Sequence, residues 1–284
     1  MSLLGSLMLY IVIAFGLSSL IDLVFATVFT SSSVMYVIWG LLRMYTPAIA
    51  SLVTLRLEGY SFKEALSFTG VTTGESSKIV KWFLIAPLVP FSALALYVVM
   101  SFALGAYTLD PLIDILKQQA PSLDPMTYVL MLPPYSYIAA VTVNTLFALG
   151  EEIGWRGFLA KKLENLDFVK KCLTIGFLWG LWHASAILLL GHNYRIHRVE
   201  GVLLFTVLTI TLTFPMMMIR NIAGNVFPAA SFHGGINAIW GFTLLISAFP
   251  DNELYDGLGV LGIVTWTIVA LLLMLIKYKK FVSC

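Results

Sequence analysis

Eight runs of mostly apolar residues, each long enough to cross a bilayer, fill most of this 284-residue chain. A transmembrane helix needs about 20 such residues. The runs fall at 7–30, 33–55, 82–107, 135–160, 172–190, 201–220, 226–248 and 257–276. The seventh is interrupted by Ser231, His233, Gly234, Gly235 and Asn237. Composition leaves no soluble alternative. Apolar residues make up 59% of the chain and charged residues 11%, against roughly 25% charged in soluble domains, and mean hydropathy is +0.91. A sphere of this mass cannot hide that much apolar surface from water. The expected fold class is all-α: a polytopic membrane protein with about eight transmembrane helices and neither barrel alternation nor an internal repeat.

Charge sets the expected topology. Eight spans put both termini on one side. That side receives 12 of the 17 basic residues (Arg56, Lys63, Lys78, Lys81, Lys161, Lys162, Lys170, Lys171, Arg220, Lys277, Lys279 and Lys280) and the other only Lys117, Arg195 and Arg198. Excess Lys and Arg mark the cytoplasmic side, so both termini are expected there. Asp110, Asp114, Asp124, Asp251, Glu253 and Asp256 fall on the opposite side. A formal net charge of +2 without a basic block gives no sign of a nucleic-acid partner. Cys172 and Cys284 make neither a disulfide scaffold nor a thiolate zinc site, and Cys284 ends no lipidation box. The first 30 residues run apolar for too long to be a cleaved signal and are read as a retained span.

The chain divides into N-terminal helices and loops (1–134), a motif-bearing core (135–248) and a last helix with a basic tail (249–284), all within one membrane domain. Two stretches are polar enough to be connections. In 56–81, SFKEAL is expected to start a helix capped by Ser61 with Glu64. The proline-rich 108–134 is expected to be a loop with an amphipathic segment at 112–119.

Ionisable residues inside spans cost several kcal/mol unless paired, which makes them functional candidates. Here they are Asp22, Arg43, Glu151, Glu152, Arg156, His183 and His233, with Asn144 and Asn237 as polar companions. In EEIGWR, Glu152 and Arg156 are four apart and share a helical face. Glu151, turned about 100° away, stays unpaired, and a carboxylate in a partly dry cavity suits general-base work. His183 follows Trp179 by one turn. His233 and Asn237, four apart in HGGIN, stack on one face. Gly234 and Gly235 between them suit a close approach by another backbone or a substrate.

Depth connects these groups. At about 1.5 Å per residue, Glu151 lies about 15 Å from Lys161, His183 about 18 Å from Lys171 and His233 about 12 Å from Asn225. One buried polar site reached from the basic side is therefore expected. His192 and His197 fall in the loop on the other side and are read as solvated.

EEIGWR (151–156), Trp179-xxx-His183 and HGGIN (233–237) resemble the three motifs of the CPBP family, the intramembrane CAAX proteases and bacteriocin-processing enzymes. Tryptophan stands at 179 where phenylalanine is common, a departure expected to touch packing more than chemistry. The resemblance implies an eight-helix endopeptidase of the type II CAAX prenyl protease kind, opening to the cytoplasm. In it Glu151 and His183 activate a water, His233 and Asn237 form the oxyanion hole, and Glu152 and Arg156 hold the site's shape. The implied partners are the bilayer and a prenylated CAAX protein or peptide, or a non-prenylated, bacteriocin-related peptide. Catalysis without a cofactor is favoured. The alternative is zinc on Glu151, His183 and His233, but no HExxH pair is present. Buried Glu, His and Arg also mark ion paths, so a transporter or proton relay is the competing class, although the first half offers only Asp22 and Arg43. An inactive scaffold would not need the full motif set.

Overall fold

The computed structural model describes residues 1–28, 33–122, 124–249 and 252–282, and of residues 33 and 277–282 the backbone alone. Asp251, Cys284, residues 29 and 30 of the first expected span and the side chains of Lys277, Lys279 and Lys280 lie outside the described residues. Among the described residues the chain is helical between turns, with one isolated antiparallel bridge joining Tyr107 and Ser247.

The first helix, α1 (Leu3–Val28), buries Ser6, Tyr10, Ala14, Ser18, Asp22 and Phe25. Those residues recur every three or four positions, which makes one face, and it is the more polar one. Leucines and valines point outward, the inverse of a helix in water and the arrangement lipid favours. Helices α2 (Ser33–Met44) and α3 (Thr46–Leu57) meet at Tyr45, with Pro47 in the first turn of α3, where its missing N–H leaves no bond unmade. The expected capping box opens α4 (Phe62–Phe68): Ser61 Oγ accepts from the Glu64 amide and Glu64 accepts from the Ser61 amide. Helices α5 (Ser76–Ile85) and α6 (Leu88–Ala103) are joined at Ala86 and Pro87. Next, α7 (Asp110–Gln119) buries Leu112 and Leu116, as its amphipathic pattern predicts.

The proline-rich stretch differs from expectation. Helix α8 (Pro125–Ala139) begins ten residues before the anticipated span and carries Pro133 and Pro134 inside it. Asp124 caps it by accepting from the Thr127 amide, and Pro125 takes the first position, a strong start signal that outweighs the later prolines. The chain then passes through a π-helical turn (Ala140–Asn144), α9 (Thr145–Glu152), a second π-helical stretch (Ile153–Leu159) and α10 (Ala160–Lys162). Helices α11 (Phe168–Trp182) and α12 (Ala184–Leu190) are separated by a break at His183. They are followed by α13 (Arg198–Ala223), α14 (Phe227–Ile239), α15 (Phe242–Leu245) and α16 (Val260–Val282).

Among the described residues, six helical stretches are long and apolar enough to cross a membrane: Leu3–Val28, Val34–Leu57, Ser76–Ala103, Pro125–Lys162, Phe168–Leu190 and Arg198–Ala223. The last two expected spans hold shorter apolar helices, α14 with 13 residues and Val260–Ile276 within α16. The architecture is thus an all-helical, multi-pass membrane protein with six candidate spans. Helix α11 lies along α13, and α14 sits centrally against α5, α6, α8, α9, α13 and the first π turn. Close backbone approach brings α9 to the N-terminal helices. A Cβ at Gly150 would lie 2.6 Å from the Met44 carbonyl oxygen and 2.7 Å from Tyr45 Cα, so only glycine fits.

Candidate active site

Glu151 and Glu152 end α9, immediately before the π-helical stretch that carries Arg156. Both carboxylates and the guanidinium are buried. Arg156 donates to Glu152 Oε1 at 3.1 Å, as the spacing predicts, and to Thr213 Oγ1 on α13 at 3.1 Å. Glu151 joins no ion pair among the described residues. Its Oε2 accepts from the Trp179 indole at 2.6 Å. Trp179 therefore holds the acid of the first motif, a bond phenylalanine could not donate, so the departure expected to touch packing more than chemistry also bears on the acid. The same indole lies under Arg156, whose guanidinium carbon is 4.0 Å from the ring centroid.

His233, on α14, brings in the third helix. Its Nδ1 is 2.9 Å from Glu152 Oε1, and its ring meets Trp179 edge-on at 5.3 Å between centroids. A carboxylate only accepts, so Nδ1 carries the proton and Nε2 is left for a ligand. His183 stands at the break after α11, with Nδ1 2.8 Å from the Trp179 carbonyl oxygen. By the same logic Nδ1–H donates there and Nε2 remains an acceptor in the neutral ring. The imidazole is enclosed by Trp182 and Phe205, at 4.8 and 4.6 Å between centroids.

Five of the expected site residues therefore meet. Glu151, Glu152, Arg156, Trp179 and His233 form one contact network, which His183 joins through Trp179. Asn237 lies one turn beyond His233 on α14, exposed and without a hydrogen bond among the described residues. Gly234 permits the close crossing anticipated for it, since a Cβ there would lie 2.5 Å from the Ala140 carbonyl oxygen and 2.8 Å from the Thr145 amide nitrogen. Glu151, His183 and His233 do not gather into a metal-holding group, nor does any set of three such side chains among the described residues.

Sequence reasoning missed three sets of contacts made by the N-terminal helices. Tyr10 stacks on Phe158 at 4.7 Å and meets Trp155 edge-on at 5.7 Å, with its hydroxyl buried and without a partner among the described residues. Asp22 and Arg43 form a buried pair, with Arg43 Nε 3.0 and 3.1 Å from the two carboxylate oxygens. Asp22 also accepts from Trp39 at 2.8 Å and Ser185 at 2.6 Å. Arg43 donates to the Trp182 carbonyl at 2.7 Å and lies 3.7 Å from that indole's centroid, clamping the residue before His183. A lone acid and a lone base in separate spans revealed no partner in sequence. Finally, His192 is not a solvated loop residue. It packs edge-on against Trp39 at 5.2 Å, with the Tyr36 hydroxyl 2.7 Å from Nδ1. Burial, then the Arg43 charge, pull its imidazole down to about 4, so it is neutral at physiological pH.

Fold and site together define a multi-pass helical membrane protein that gathers an acid–histidine–arginine centre where three helices cross. Residues 133–239 match the family model of the Rce1-like type II CAAX prenyl endopeptidases, which bears out the resemblance carried by the three motifs. The matched segment is thus similar to intramembrane peptidases of the CAAX-protease type. No curated protein shows a significant match to the chain.

Proposed function

We propose that this protein hydrolyses a peptide bond near the C-terminus of a prenylated CAAX protein, with a water activated by Glu151 and His183. The observation that carries the reading is the convergence of Glu151, Trp179 and His233 from three helices. Peptide hydrolysis requires a base near the attacking water and donors aimed at the charge that develops on the carbonyl oxygen. Glu151 takes the water proton while His183 Nε2 accepts from the same water. The hydroxide adds to the scissile carbonyl carbon, and the oxyanion meets His233 Nε2–H and the Asn237 amide. His233 enters the step with both ring protons already in place, Nδ1–H on Glu152 as counter-charge and Nε2–H toward the oxyanion. The proton held by Glu151 passes to the leaving amine as the C–N bond breaks. Buried Tyr10 Oη, Glu152 Oε2 and Arg156 Nε have no partner among the described residues and supply bonding positions for water.

These steps use a water activated by protein groups alone and need no metal ion. In this reading the site's mouth and both termini face the cytoplasm, which the excess of basic residues expected on that side supports. Purified protein in lipid vesicles should release a C-terminal tripeptide from a farnesylated CAAX peptide, read by mass spectrometry. His233→Ala should slow release about 10²–10³-fold, the loss typical for one oxyanion donor. Cleavage of the unprenylated peptide alone would redirect the substrate class. Absence of any cleavage, together with proton flux through the vesicles, would favour the relay instead.

A further inference from the structure

A second polar cavity lies where three candidate spans end together. It has a volume of about 440 Å³, and its lining includes Lys161, Glu164, Lys171, Arg220 and Asn221. Lys161 closes the long apolar stretch Pro125–Lys162, Lys171 is in the first turn of Phe168–Leu190, and Arg220 is in the last turn of Arg198–Ala223. Three span ends at one level put the cavity at the depth of lipid headgroups, where basic pockets between transmembrane helices select anionic lipids.

The charges do not balance from within. Glu164 pairs with Lys161. Lys171 makes only a 3.5 Å contact to the Glu164 carbonyl oxygen, and it joins no ion pair among the described residues. Arg220 is half-buried, its Nε is enclosed without a partner, and no carboxylate bonds its guanidinium among the described residues. A largely desolvated guanidinium without an acid is costly, so it calls for an anion from outside. The floor is already built. Thr73 Oγ1 donates to the Gly224 carbonyl at 2.7 Å, and Asn225 Nδ2 donates to the carbonyls of Val71 and Thr73 at 3.1 and 2.7 Å. These bonds fix the 70–74 loop against the start of α14, so binding costs little ordering.

We propose that this cavity binds a phosphate group, that of an anionic phospholipid headgroup or free inorganic phosphate, held by Arg220 in two-pronged fashion and by Lys171 as a point charge. Thermal unfolding of the full-length protein in detergent tests this, with short-chain phosphatidylglycerol, short-chain phosphatidylcholine or inorganic phosphate added at ionic strength matched with chloride. Phosphatidylglycerol should raise the unfolding temperature in a saturable way and phosphatidylcholine should not. Arg220→Gln and Lys171→Gln should each raise the half-saturating concentration about fivefold. Lys170→Gln, at the neighbouring exposed lysine that pairs with Asp167, should leave it unchanged. The same pattern with inorganic phosphate alone would keep the site and assign it a soluble ligand. If Arg220→Gln does not fold, Lys171→Gln against Lys170→Gln still decides. Equal shifts in parent and cavity variants, or a loss in Lys170→Gln as large as in Lys171→Gln, overturn the proposal.

Discussion

Trp179 donates an N–H to a buried carboxylate, and that bond gives the second motif a role in orienting the first. Charged hydrogen bonds of this kind contribute about 1.5–3 kcal/mol. Trp179→Phe should lower unfolding free energy by about that amount, as measured by reversible denaturation in mixed micelles. An unchanged value would mean that Glu151 is held by something else. The candidate site residues were readable because polar side chains in apolar spans are conspicuous, and the i,i+4 spacing of Glu152 and Arg156 foretold their bond. Other bonds were hidden. The Trp179–Glu151 and His233–Glu152 contacts join residues 28 and 81 positions apart, and nothing local in the sequence encodes such a partner. His192 misled for a related reason: loop position suggested solvent, whereas Trp39 and Tyr36 from α2 cover the ring.

Helices here are shaped as much by close approach as by length. The chain leaves α-helical winding at Ala140–Asn144 and Ile153–Leu159, flanking α9 on either side, and such π segments concentrate at functional sites. No residue pattern announced them. The start of α8 was legible in Asp124-Pro125, but Pro133 and Pro134 argued for a loop. The tightest contact between α9 and the N-terminal helices rests on Gly150. Gly150→Ala should destabilise the protein by about 1–3 kcal/mol, the usual result of overpacking. Gly40→Ala, where a Cβ meets nothing within 4 Å, should be neutral or slightly stabilising. Denaturation of the two variants in parallel measures the contrast, and equal effects would remove the close-approach argument.

Across the whole molecule, the two halves of the chain depend on each other. The family match covers 133–239 only, yet Tyr10, Asp22, Trp39 and Arg43 from the first two spans enclose or clamp its motifs. All-helical, membrane-embedded architecture followed from composition, because apolar surface on that scale has only lipid to face. The number of crossings did not follow as directly. An apolar run of about 20 residues folds here into the 13-residue α14 and a short α15, with His233, Gly234 and Gly235 buried among neighbouring helices. The central claim is a division of labour between adjacent carboxylates, Glu151 acting on water and Glu152 bracing Arg156 and His233. Single-turnover cleavage of a farnesylated CAAX peptide, measured beside thermal unfolding for Glu151→Gln and Glu152→Gln, tests it most directly. The account predicts a rate about 10²–10⁴-fold lower in Glu151→Gln with near-parental stability, and a clear loss of stability in Glu152→Gln. Glu151→Gln protein that cleaves at the parental rate would contradict it.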